Sequence, residues 1–139
     1  MTEAGPAQTY EQRVQAIQLA NQPILDGFET WLRQSRLSEQ TIKDHVDNMR
    51  FFSCYLLLYA YSLRRLDEAT EGAVYDFLED WFPRKALWAS VSSMKLYLAS
   101  FKKFFKWMGE TGLVSPQTVE DVLSTLKDSR NFFLRKVAE

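Results

Sequence analysis

The sequence predicts an all-α protein, an orthogonal bundle of four to five helices with an extra terminal helix, and three observations carry that expectation. Leucine occurs 17 times among the 139 residues, against 11 for valine and isoleucine together, which favours helix over strand. Glycine and proline are few, 5 and 4, and they bunch between apolar periodic segments, so they punctuate the pattern. From Val91 to Met108 the apolar residues Val91, Met94, Leu98, Phe101, Phe105 and Met108 recur at spacings of 3, 4, 3, 4 and 3, one buried stripe through a long helix. With 46% hydrophobic and 14% aromatic residues the chain is neither disordered nor fibrous, and its length suits one domain.

Each element follows from local chemistry. Thr9 caps a first short helix, about Tyr10 to Asn21, whose apolar stripe of Val14, Ile17 and Asn21 is thin. Residues 1–23 are therefore read as an extension. Pro23 opens a second helix, Ile24 to Ser35, with Leu25, Phe28, Trp31 and Leu32 at helical spacing. Ser38 starts a long central helix carrying Ile42, Val46, Met49, Phe52, Leu56 and Tyr59. Ser62 to Thr70 breaks the pattern. Val74, Phe77, Leu78, Trp81 and Phe82 then form a short helix that Pro83 is expected to stop, followed by a loop from Arg84 to Ala89. Ser90 begins the strongest helix, ended by Gly109 and Gly112. A last helix, Gln117 to Lys136, carries Val119, Val122, Leu126 and Phe133, with Lys127, Arg130, Arg135 and Lys136 placed late, where they suit the helix dipole. The core domain is thus expected over 24–116, and 117–139 as a terminal helix.

Several chemistries are excluded at this level. One cysteine, Cys54, rules out an internal disulfide, and with one histidine, His45, there is no multi-Cys or His-rich metal site, so no cofactor is expected. The longest uncharged run, Phe51 to Leu63, has 13 residues, short of the roughly 20 a membrane span needs. The polar, acid-bearing amino terminus does not resemble a secretory signal, so the expected location is cytoplasmic, with no membrane partner.

The net charge is −1, but it is divided unevenly: residues 1–80 sum to −6 and residues 81–139 to +5. Between Trp81 and Gly109 six bases occur with no acid, a distribution that points to a polyanion or an acidic partner. On a helix with successive residues 100° apart, Lys95, Lys102 and Lys106 fall within about 40° of one another beside the apolar stripe, with Lys103 further round. The rings of Phe101, Phe104 and Phe105 follow the core period and are read as core. Trp107 points off the stripe toward a neighbouring helix. Asp76, Glu79 and Asp80 are read as a solvated face, and His45 and Cys54 as structural residues without a catalytic context.

Three patches add a resemblance. They are Leu37-Ser38-Glu39-Gln40-Thr41-Ile42 with His45, Met49, Phe52 and Tyr55 behind it; Leu66-Asp67-Glu68-Ala69-Thr70 leading to Phe77-Leu78; and Ser90, Ser93, Lys95, Leu98, Phe101, Phe104, Phe105 and Trp107 running into Gly112-Leu113-Val114-Ser115-Pro116. Together they resemble the N-terminal core-binding, SAM-like domain of tyrosine recombinases and phage integrases, with His45 standing where that family more often has tyrosine. The resemblance implies one jaw of a clamp on double-stranded DNA, contacting backbone without catalysing strand exchange. The family's catalytic residues lie on a second domain. This chain has no His-x-x-Arg motif, so the expectation is a module that is not an enzyme.

The residues expected at DNA are Ser38, Thr41 and Lys43 on the central helix, and Ser90, Ser93, Lys95, Lys102, Lys103 and Lys106 on the strongest one. Hydroxyls at a helix start and lysines along one flank are the usual means of phosphate contact. Glu39, Asp44 and Asp47 on the central helix oppose that role there. The last helix is expected to pack on the domain or to meet a second copy or a recombinase partner. Two function classes remain open: DNA binding, and a protein-interaction or regulatory module on the same fold.

Overall fold

The computed structural model describes residues 8–59 and 63–138. The described chain is all-helical, without a strand: α1 (Tyr10–Arg33), α2 (Glu39–Leu58), a 3-10 turn (Leu66–Glu68), α3 (Glu71–Asp76), a π turn (Phe77–Trp81), α4 (Phe82–Lys85), α5 (Val91–Glu110), α6 (Pro116–Asp128) and α7 (Arg130–Lys136). No helix among the described residues is long and apolar enough to cross a membrane. Ser62, where the break after α2 was expected to begin, lies outside the described residues.

Helix starts carry hydroxyl caps, at the expected Thr9, Ser38 and Ser90 and also at Thr70 and Ser115. Thr9, Ser38, Thr70, Ser90 and Ser115 each accept a hydrogen bond from a backbone N–H three residues on, satisfying one of the donors a helix start leaves unpaired. The end of α5 is a Schellman turn. The Leu113 N–H donates to the Met108 carbonyl at 2.8 Å and the Gly112 N–H to the Gly109 carbonyl at 3.2 Å, with Gly112 at φ +78°. Gly112 therefore supplies the left-handed residue, while Gly109 lies inside α5, where a Cβ would stand 2.6 Å from Val119.

The prolines and the last helix depart from expectation. Pro23 does not separate two helices: α1 runs unbroken through it. Proline deprives the Leu19 carbonyl of its donor, but Leu19 and Pro23 are both exposed residues, so the missing bond falls on the outer side of α1 and not in the core. Asn21, Ile24, Leu25, Phe28 and Leu32 hold the opposite side in the core. No element boundary therefore falls at residue 23, and Asn21 is not part of an apolar stripe, since its Oδ1 accepts the Leu66 N–H at 2.9 Å.

Pro83 likewise fails to stop its helix. The π turn lets the Phe82 N–H reach the Phe77 carbonyl, and Pro83 follows in the first turn of α4, the helix position where proline is best tolerated. The helical path thus continues to Lys85, and the loop begins only at Ala86. The expected single helix from Gln117 breaks at Ser129 into α6 and α7, which lets Phe133 turn into the core beside Tyr75, ring centroids 5.5 Å apart.

One core joins all of these elements. Phe28, Phe52, Phe77, Phe101, Phe104, Phe105 and Phe133 are fully buried, as are Val122 of α6 and Met49 of α2. Trp107 meets α1, as its phase predicts: a Cβ on Gly27 would stand 2.7 Å from its ring, so that glycine permits the close approach of α1 and α5. The terminal helices pack on the domain, α6 against α5 and α3, α7 against α5.

Candidate nucleic-acid interface

The polar residues at the two helix starts have local partners. Ser38 Oγ accepts the Thr41 N–H and donates to Thr41 Oγ1 at 2.9 Å. Ser90 and Ser93 form a reciprocal capping box. Lys43 is held by Asp47 at 2.5 Å, which keeps its ammonium protonated to higher pH, and Arg50 shares the same carboxylate. On α1, Arg33 is tied to Glu29 and Glu39. The surface between α1 and α2 is thus internally neutralised.

The two expected groups stand at separate helix starts. His45 and Asn48 of α2 both meet Ser100 and Phe52 meets Phe101, so α2 crosses the middle of α5. Ser38 and Thr41 bond to each other at the start of α2, and Ser90 and Ser93 to each other at the start of α5.

The lysines of α5 behave differently. Lys95, Lys102, Lys103 and Lys106 have no carboxylate within 4 Å among the described residues, and Lys127 and Arg130 share that condition. Helices α5 and α6 form an antiparallel pair, so the start of α5 faces the end of α6. A groove of about 590 Å³ between them is bordered by Lys95, Lys102, Lys127 and Arg130 over a floor of Leu98, Ala99, Leu123 and Leu126. On the other side of Lys102 a second groove, about 460 Å³, brings Lys102, Lys103 and Lys106 against Trp31 of α1, with Glu110 at its end. Lys102 and Ala99 belong to both, so six cations from three helices occupy one continuous surface.

No family model matches the chain, and no curated protein or solved structure does either. The surface is therefore read from its own chemistry.

The α5 lysines were legible from helical phase alone. In the sequence Lys127 and Arg130 stand only as dipole partners of the last helix, and their place across the groove from Lys95 and Lys102 depends on the α5–α6 pairing. The acids Asp80 and Glu79 are engaged by Arg84 and Lys136, as a solvated face would be. Cys54 is exposed.

His45 sits behind this surface. It is 2% exposed, its Nδ1 is 2.6 Å from Ser100 Oγ, and Asn48 Nδ2 donates to the same oxygen at 3.1 Å. Burial, and next the nearby Lys103 charge, lower its pKa below the ordinary value. The unfolded chain then binds the extra proton more readily than the folded one. Stability is accordingly expected to be full above about pH 6.5 and to fall as pH drops toward the folded value. Urea unfolding at pH 7.5 and pH 5 checks this, and His45→Gln should flatten the dependence.

Proposed function

We propose that the chain is a DNA-binding module that grips duplex backbone along α5, as the core-binding domain of tyrosine recombinases does in the family its sequence resembles, without catalysing strand exchange. The SAM-like recombinase-type arrangement of its helices is part of the same proposal. The observation that carries it is the surface of unpaired cations, Lys95, Lys102, Lys103, Lys106, Lys127 and Arg130, in a chain of net charge −1 whose α1 and α2 cations are mostly paired with acids. Unpaired lysines on a rigid helix pair meet phosphates without first breaking an ion pair. Their contacts are to backbone, so sequence preference is low.

Anisotropy of a labelled 20-base-pair duplex across a salt series tests the proposal. With about four phosphates neutralised, log affinity should fall against log salt with a slope of about −3.6. Lys102→Glu with Lys106→Glu should remove nearly all binding. A wild-type protein without salt-dependent binding at tens of micromolar, or a double variant that binds as well as wild type, overturns the reading.

A further inference from the structure

The groove between α5 and α6 has a feature that phosphate contact does not use: its floor is apolar. Leu98, Leu123 and Leu126 line it at the Lys95 end. It continues past Leu123 into a shallower depression of about 370 Å³ lined by Val119, Pro116 and Gly109, with Lys106 and Glu110 at its edge. The two share Leu123 and so form one trough along α6, whose 13 residues span about 20 Å. An elongated trough with a greasy floor and a rim of unpaired cations is complementary to a helix that is apolar on one face and acidic on its flanks.

We infer that this trough docks an acidic amphipathic helix of about four turns from a protein partner. Its leucine-like residues sit on the half-buried Leu123 and Val119 and on the small exposed edges of the otherwise buried Leu98 and Leu126, and its carboxylates reach Lys95, Lys102, Lys127 and Arg130. The concentration of cations at one end and Glu110 at the other places the partner's acidic half over Lys95 and Arg130. Docking stands independently of DNA binding. Only one consequence rests on the DNA reading: because Lys95 and Lys102 serve both ligands, the partner helix excludes duplex.

The probe is a fluorescein-labelled synthetic helix of 16 residues with leucines at i, i+3, i+7 and i+10 and glutamates beside them. Controls are a scrambled peptide of the same composition and polyglutamate of equal charge. The amphipathic peptide should bind at least tenfold more tightly than either control. Leu123→Gln removes part of the floor at a half-exposed site and leaves every cation, so it should weaken peptide binding about tenfold with the duplex salt slope unchanged. Lys103→Gln, outside the trough, should reduce the duplex slope by about one and leave the peptide unaffected. Loss of duplex binding with peptide binding intact would sink the DNA reading alone. Absence of peptide binding, equal binding of the scrambled peptide, or an unaffected Leu123→Gln variant overturns the docking proposal. A wild-type dimer that Leu123→Gln dissolves overturns it too, by assigning the trough to a second copy.

Discussion

Removal of every residue after Ser115 is expected to leave a chain that no longer unfolds cooperatively. Helices α6 and α7 contribute Val122, Leu126 and Phe133 to the same core as the rest of the protein, and Val122 and Phe133 are fully buried. Each such side chain is worth about 1.5–3 kcal/mol in burial, and the half-buried Val119, Leu123, Phe132 and Leu134 add to that. The loss is comparable to the whole stability of a typical domain, about 5–15 kcal/mol. It also bares the apolar face of α5 beside Leu98 and the ring of Tyr75. Circular dichroism melts and sedimentation of the truncated chain provide the check. An unchanged melting temperature and solution mass would make the last two helices an idle tail.

Phe101→Ala should destabilise the protein by about 3–5 kcal/mol, the usual penalty for deleting a buried ring and leaving its cavity. Phe101 is fully buried at the centre of the aromatic cluster, its centroid 4.8 Å from Phe52 in edge-to-face geometry and 5.8 Å from Phe77. Phe52 and Phe77 come from α2 and the π turn, so no single neighbour closes the void. The melting temperature should fall by about 10 °C or more. Leu113→Ala, at a site 36% exposed, should change it by far less. A Phe101→Ala protein melting within a degree of wild type would place the ring outside the core.

What the sequence determined by itself is what local chemistry controls. The hydroxyls of Thr9, Ser38 and Ser90 had to cap helices, since each lies where an apolar 3.6-residue period begins. The alternating spacings from Val91 to Met108 determined which side of α5 is buried, and with it the outward flank of Lys95, Lys102 and Lys106. The pairing of Lys43 with Asp47, four residues apart on one helix, was implicit in the same periodicity.

Tertiary structure decided where that local logic ends. A proline's cost depends on what surrounds the carbonyl it orphans. Pro23 is absorbed on the exposed side of α1, away from the core, and Pro83 directly after a π turn. Ser129 interrupts an otherwise continuous helical period because Phe133 gains a core site by turning inward. The trough needs the antiparallel pairing of α5 and α6, which sets Leu123, Lys127 and Arg130 across the groove from the Lys95–Lys102 stretch of α5. The two sides are separated by roughly 20 to 35 residues of chain, beyond the reach of helical periodicity, and only packing of the shared core brings them together.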